Sequence, residues 1–578
     1  MYIDIIVLFP FHIPIYIPRI LSNAFLNALS SLRIIAPPRR KPDAAADDAR
    51  DDDEKAGSSN LSFFVRLRFP LNFVSAPLVA DLFLLAIGAI GRDEVKGGTL
   101  GANSISPLDI MLFFLSLAYI AISIDASGLI RYLAFRVLQW GGDVGHRLFF
   151  YLYAFFFSLT AFIGNDPVIL SGTAFLSYMT RVSSNIVHPR AWIYSQFAVA
   201  NIGSAILVSS NPTNLVLAGA FSIKFINYTA NIIVPVVATA IVLFPFLLYF
   251  VFADEALIPN HIKMHELPDE VRNRKPINPN IPNARGELED EEDSGNDEVG
   301  KLLSLEEIMN PFLDKSGAAF GAVIMALTLI TVLAINAASS KIGHQPVFYI
   351  TLPAAIITLC WDIGFGWFNR HETRQIARKG RIQINIARAA RRASLAADPN
   401  APFHATCGPE PMVESLTPED ASRQEQIFIP VQEEKKNSTS SARPENSATP
   451  MEIPSEQEVD EKAGNTAENE KSSTNESNRN QKTTLVSLSR NAYRWSQETF
   501  PTAMTVLALL PFPLVPFAFC MFILVQGLVT KGWVPVFAYG WDHWVEKTGT
   551  IGAIGGMGFL SVILCNVSVH LLLLPRYN

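Results

Sequence analysis

Apolar residues in this chain run in long, nearly uncharged blocks rather than in the alternation of a half-buried strand. Nine blocks stand out: Val74–Gly91, Leu108–Ile124, Leu148–Gly164, Ala191–Val208, Ile232–Phe252, Gly317–Ala337, Val347–Phe368, Thr502–Leu528 and Gly549–Cys565. Several reach the ~18–20 residues that carry a helix across ~30 Å of hydrocarbon. An outer-membrane barrel would instead show ~10-residue alternating strands. The pattern predicts an all-α polytopic membrane protein. Ahead of the blocks, "MYIDIIVLFPFHIPIYIPRIL" is apolar but lacks a basic start and a small-residue cleavage site, so it does not read as a signal peptide. Pro10, Pro14 and Pro18 argue against one straight helix. Part of a spanning segment running into an interfacial piece is expected there.

Two blocks are interrupted by polar residues. "NIGSAILVSSNPTNLVLAGAF", Asn201–Phe221, is apolar at both ends and holds "SSNPTN", Ser209–Asn214, in its middle. Pro212 has no N–H and disfavours helix at Asn211, so the helix is predicted to stop near Ser209 and restart near Asn214. Irregular backbone survives in lipid only where it is buried or lines a cavity. Ser209, Ser210, Asn211, Thr213 and Asn214 can cap the freed helix ends or coordinate a cation, while a restarting helix offers its positive end to an anion. "GNDPVILSGT" carries the same chemistry, with Asn165, Asp166 and Pro167 at the break and Ser171 and Thr173 beyond it. Asp166 is ionisable within or beside a membrane segment, which points to an ion or proton pathway. The two breaks are expected to lie side by side. Asp125, at the end of a span, reads equally as a cap; Asp81 and Asp362 read as structural or pairing residues.

Two polar insertions divide the membrane blocks. The first contains "GELEDEEDSGNDE"; the second holds a stretch almost free of large apolar residues, which predicts disorder. Seven Arg and one Lys fall between Arg370 and Arg392, directly after a span. That bias places this face in the cytoplasm and leaves the "NST" at Asn437 and "NES" at Asn475 unglycosylated. The segment reads either as a basic helix on anionic lipid or as a solvated charged helix. The domain boundaries that follow are 1–73 for an N-terminal partial membrane segment and linker, 74–252 for a first repeat, 253–315 for an acidic linker, 316–368 for further spans, 369–497 for a basic and then disordered cytoplasmic linker, and 498–578 for a partial second repeat.

The last of these rests on a pairing of two flanks. "FSLTAFIGNDPVILSGTAFL" and "GFLSVILCNVSVHLLLL" are apolar runs interrupted at Gly164-Asn165 and at Cys565-Asn566. Such paired interruptions point to an internally duplicated transporter with its site at the breaks, which adds Asn566 to the candidates. Eighty-seven residues follow Asn165 up to Phe252, whereas 12 follow Asn566. The expectation is an inverted repeat whose second half is incomplete, through a misplaced exon boundary or a shortened isoform.

Composition changes this picture little. The 578 residues are 49% hydrophobic with 39 Phe, and mean hydropathy is +0.24. The formal charge of −7 averages unlike regions. Cys360, Cys407, Cys520 and Cys565 are far apart with no CxxC, so neither a disulfide framework nor a zinc site is expected. "GAAFG" and "GAIGG" have small-residue helix-packing spacing. No protease, nucleophile-elbow, kinase, Walker or dinucleotide pattern occurs, and neither an enzyme, a cofactor nor a nucleic-acid partner is expected.

At its two breaks the chain resembles the ion transporter superfamily. That group includes arsenite-efflux permeases, sodium/proton antiporters of the same fold and citrate- or dicarboxylate-type sodium symporters. "GNDPVILSGTAFL" looks like the re-entrant hairpin of the first repeat, and "ANIGSAILVSSNPTNLVLAGAF" looks like the broken helix that completes a half-site. "SIDASGLIRYLAFRVLQWGG" and "FGAVIMALTLITVLAINAASS" look like a fungal group of citrate-transporter-like membrane proteins. The resemblance implies that Asn165, Asp166, Thr173, Ser209, Ser210, Asn211, Thr213 and Asn214 bind substrate or a coupling ion, Na+ or H+. Asp166 stands where symporters of the group carry Thr, and an acid suits a cation or proton better than a second anion.

The reading is thus an integral multi-pass protein, in the plasma membrane or an internal one, that moves a small anion or oxyanion by alternating access. Its partners are a small-ion substrate and the bilayer, with a homodimer left open. Two rivals are a cation/proton antiporter on the same fold with Asp166 as carrier, and a membrane-anchored interaction protein working through its linker.

Overall fold

The computed structural model describes residues 11–36, 63–102, 105–183, 185–186, 188–263, 276–284, 310–342, 346–397 and 484–573. The acidic run, the stretch expected to be disordered, and Asn437 and Asn475 lie outside them. The chain divides into two compact units, residues 1–389 with 484–578, and residues 390–483. Of the second, only residues 390–397, which are helical, are described.

The first unit is almost entirely helical. Strand β1 (Phe11–Pro18) leads into α1 (Arg19–Ser31), and β2 (Phe64–Leu71) precedes α2 (Ser75–Ala86), α3 (Arg92–Leu100) and α4 (Pro107–Ala126). Then come α5 (Leu129–Gly141), α6 (Gly145–Ile163), α7 (Asn165–Val182), α8 (Arg190–Gly203), a 3-10 turn at Val208–Ser210, α9 (Pro212–Ala220) and α10 (Phe225–Phe246). The C-terminal half holds α11 (Lys315–Ile342), α12 (Phe348–Phe368), α13 (Arg370–Ala397), α14 (Leu485–Thr499), α15 (Pro501–Leu509), α16 (Leu514–Thr530) and α17 (Trp533–Leu573). Among the described residues, six segments are long and apolar enough to cross a bilayer: Pro107–Ala126, Gly145–Ile163, Phe225–Val251, Lys315–Ala337, Phe348–Phe368 and Pro501–Thr530. This is an all-α polytopic membrane protein.

Helix α4 is the centre of the bundle. Its 20 residues give it the ~30 Å of a membrane crossing. Its apolar stretch is 72% buried, against 39% or less for the other spans. It packs against α11, α12 and α15, and also touches α5, α7 and α9. Gly321 of α11 lets that helix approach Ile124 of α4 closely, as the GAAFG spacing predicts. The outer helices instead expose apolar side chains, Val234, Ile241 and Val242 on α10 among them, as lipid-facing helices must.

The N-terminal expectation is corrected. The segment after residue 10 is not part of a span but a strand, paired antiparallel with β2. Pro14 and Pro18, and Pro70 across the ladder, share one alternate set of positions. Arg19 donates to the Phe63 carbonyl at 2.8 Å, so the other set carries the ladder bonds. The prolines therefore remove no donor that the pair needs, whereas in a helix each would break a bond.

Two further corrections concern breaks. The block Thr502–Leu528 is not continuous: it is split between α15 and α16 at Leu510–Pro513. Leu510 precedes Pro511 and is extended, with φ −60° and ψ 134°. The interruption expected at Cys565-Asn566 is absent, because α17 runs through Asn566 and leaves helical geometry only at Gly549, with φ 67° and ψ −161°. A single Asn costs a helix under ~1 kcal/mol, and nothing beside it forbids helix.

The basic segment forms α13, which pairs with α14. Thr373 donates to the Glu498 carbonyl at 3.0 Å, Arg374 donates to Thr499, and Arg381 pairs with the Glu498 carboxylate. The guanidinium of Arg370 lies 4.4 Å from the Trp367 ring, and that of Arg374 lies 5.3 Å from Trp495. Cationic side chains stacked on tryptophans suit the boundary between hydrocarbon and water.

Candidate functional site

The first break is one residue long. Gly164 ends α6 and precedes α7 with φ 98° and ψ 165°, a conformation open essentially to glycine alone. Pro167 belongs to the first turn of α7, where its missing N–H costs nothing. A Cβ at Gly164 would stand 3.0 Å from the Ser210 carbonyl oxygen. The hydroxyl of Ser210, in turn, donates to the Ala161 carbonyl at 2.5 Å. The two breaks therefore meet, and the absence of a side chain at residue 164 is what lets them.

The second break is longer than predicted and lies earlier. Helix α8 ends at Gly203, and α9 restarts at Pro212 rather than near Asn214. Proline at the first helical position is the physical reason. Asn211 is extended, with φ −152° and ψ 134°, and its side chain accepts from the Thr213 amide at 3.0 Å and the Thr213 hydroxyl at 2.7 Å. This is an N-cap. Asn214 is buried and donates to the Ser204 and Leu207 carbonyls at 2.8 and 2.9 Å. It satisfies the backbone that the break exposes.

A cavity of about 250 Å³ opens at the meeting of the breaks. Its polar wall is Asn165, Asp166, Ser209 and Ser210, together with the Gly164 backbone. Phe113, Leu117 and Ala121 of α4 form an apolar wall, and Leu509 and Pro511 bring in the third break, between α15 and α16. The N-terminus of α7 thus opens on the cavity, with Asp166 exposed in its first turn. Asn165 donates to Asn201 at 3.2 Å, tying the start of α7 to the end of α8.

The other candidates stand elsewhere. Ser171, Thr173, Asn211, Thr213 and Asn214 do not line this cavity. Thr173 donates to Gln196 at 3.0 Å, and buried Gln196 donates to the Val168 carbonyl at 2.8 Å, so α7 and α8 are bonded side by side. Ser171 donates to the buried carboxylate of Asp125 on α4. Asp125 also lines a second cavity of about 90 Å³, with Gly128, Arg131, Asn280, Phe312 and Thr505. The side chain of Asn566 lies outside the described residues.

One group escaped the sequence reading, and another, read as structural or pairing, has partners the sequence does not show. Gln196 carries no motif. Asp362 on α12 accepts hydrogen bonds from Tyr119 at 3.0 Å and Ser123 at 2.9 Å, all three buried. An acid within a span was its visible signal; its partners lie about 240 positions away and could not be read.

The first two breaks fall within the segment, residues 67–365, that matches the family model described as "Citrate transporter", just over half of the chain. The chain belongs to the citrate transporter family. It is also similar to two proteins of Escherichia coli, each an "Arsenical pump membrane protein". The first is 28% identical and the second 27% identical, each over 130 residues. Each alignment covers 22% of this chain and 30% of the relative, so the chain spans under a third of the length of these relatives. The family and the six apolar spans among the described residues make the chain an integral, multi-pass membrane protein.

Proposed function

We propose that the chain is a secondary active transporter of a small anion or oxyanion, of carboxylate or arsenite type, working by alternating access. The observation that carries this is the cavity where two helix breaks meet inside the segment matching the citrate transporter family. It offers an anion a helix N-terminus, the Asn165 amide and the Ser209 hydroxyl, in a space sized for a small solute. The citrate and arsenical names of the family and the relatives support an anionic or oxyanionic substrate.

Asp166 in the same wall sets a condition on that substrate. An anion beside an ionised carboxylate is repelled, so binding requires a cation, Na+ or H+, at Asp166. The acid on the wall is also the observation that favours a cation/proton antiporter. Fluxes of labelled citrate, arsenite and sodium into liposomes containing the full chain test the proposal. Asp166→Asn is expected to keep anion flux while removing its cation dependence, a loss of roughly 1–3 kcal/mol of coupling. Cation flux without either anion, abolished in Asp166→Asn, establishes the antiporter instead. No flux of any of the three overturns both.

A further inference from the structure

The cavity does not account for the acid buried on the other side of α4. Asp362 is 5% exposed within the α12 span, and Tyr119 and Ser123, one turn apart on α4, both donate to it. Among the described residues, its hydrogen-bond partners are hydroxyls rather than cations. The charged group that acts on it is another acid, Asp314, just before α11. Arg370 lies against Trp367 and the Thr499 end of α14 against Gly366, both at the C-terminal end of α12; the other elements packed on α12 add little charge. Helix α15 has no titratable side chain, α11 carries only Lys315 and Lys341 at its two ends, and α4 has Asp109 in its first turn and Asp125, engaged by Ser171. Cys360 is the nearby thiol of α12 itself.

A carboxylate in hydrocarbon without a cation is costly, and the same group becomes cheap once it binds a proton. Two hydroxyl donors, Tyr119 and a Ser123 whose single proton faces both carboxylate oxygens, are what lets an ionised carboxylate persist there. The site can therefore hold either form. It lies outside the cavity lining, whose α4 contributors are Phe113, Phe114, Leu117, Ala118, Ala121 and Ile122. These stand on the face of α4 opposite the one that presents Tyr119 and Ser123.

We propose that Asp362, held by Tyr119 and Ser123 across α4 from the cavity, is the carboxyl that takes up and releases the proton driving transport. Asp166 meets the ion bound in the cavity; Asp362 meets only a proton. The step is H+ plus carboxylate giving the neutral acid, and its reverse on the other side of the membrane. It couples to the substrate because the helix that bonds Asp362 is also the apolar wall of the cavity. This assignment rests on the transporter reading given above.

The test uses the full chain in liposomes with labelled citrate and arsenite under an imposed pH gradient. Wild type is expected to accumulate one of them above equilibrium. Asp362→Asn is expected to lose accumulation while keeping counterflow exchange within a few fold, which shows that it is folded. Tyr119→Phe is expected to keep accumulation and move its pH midpoint by about one unit. In infrared difference spectra, wild type should show a carboxylic-acid band that titrates and is missing in Asp362→Asn. Gradient-driven accumulation by Asp362→Asn equal to wild type overturns the assignment, as does an identical titrating band in both proteins. A wild type that moves neither solute overturns the transporter reading itself, whatever the band does.

Discussion

Gly164→Val is expected to remove transport while leaving the apolar spans able to enter the membrane. The backbone at residue 164, with φ 98° and ψ 165°, costs a non-glycine residue about 1–3 kcal/mol. The Cβ would also press on the Ser210 carbonyl, 3.0 Å away, which belongs to the other break. Relief requires the two breaks to separate, and a displacement of that kind at a binding site costs on the order of 100-fold in function. Citrate and arsenite flux, with the unfolding midpoint of the solubilised protein, checks this. A variant with wild-type flux and midpoint would mean that the breaks need not touch.

Asn214→Leu is expected to be the most destabilising single change in the second break. Its amide bonds two carbonyls freed by the break, and no water reaches a buried site in the bilayer to replace it. Each carbonyl left unpaired costs about 1–3 kcal/mol, so a loss of roughly 2–6 kcal/mol follows. Asn211→Ala, which removes only an N-cap, should cost about 1 kcal/mol. Denaturant unfolding of both variants reads the difference. Equal losses would show that Asn214 does not hold the break together.

That contrast also shows what a sequence can reveal at such a site. Length and hydropathy made the spans legible, and the glycine and proline at Gly164 and Pro212 made the two interruptions legible though not their bounds, because these signals are local. The division of labour within "SSNPTN" was not. Ser209 and Ser210 line the cavity, Ser210 while donating to the Ala161 carbonyl, whereas Asn211, Thr213 and Asn214 only bond backbone or each other. Capping and ligand binding call for the same side chains, so residue type cannot separate them. The third break was written in "PFP" at residues 511–513 but hidden by the apolar residues around it. Asn566 misled for the opposite reason: a small polar residue in an apolar run resembles the motif at Asn165, yet without an adjacent proline or glycine the helix continues. The N-terminal strand was missed because its apolar content was weighed and the alternation of its prolines was not.

Asp125 and Asp362 mark a further limit. Each lies on an apolar helix with nothing beside it to distinguish it. Only the packing of α4 against α7 and α12 gives one carboxylate Ser171 and the other Tyr119 and Ser123.

The central claim is that the cavity at the paired breaks is the substrate site. Asn165→Cys, introduced after replacing Cys360, Cys407, Cys520 and Cys565, puts a thiol in its polar wall. Labelling of this variant in liposomes by a water-soluble maleimide tests the claim most directly. The account predicts labelling that citrate or arsenite suppresses at the concentrations at which that solute is transported. Labelling that neither solute changes, with transport intact, would contradict it.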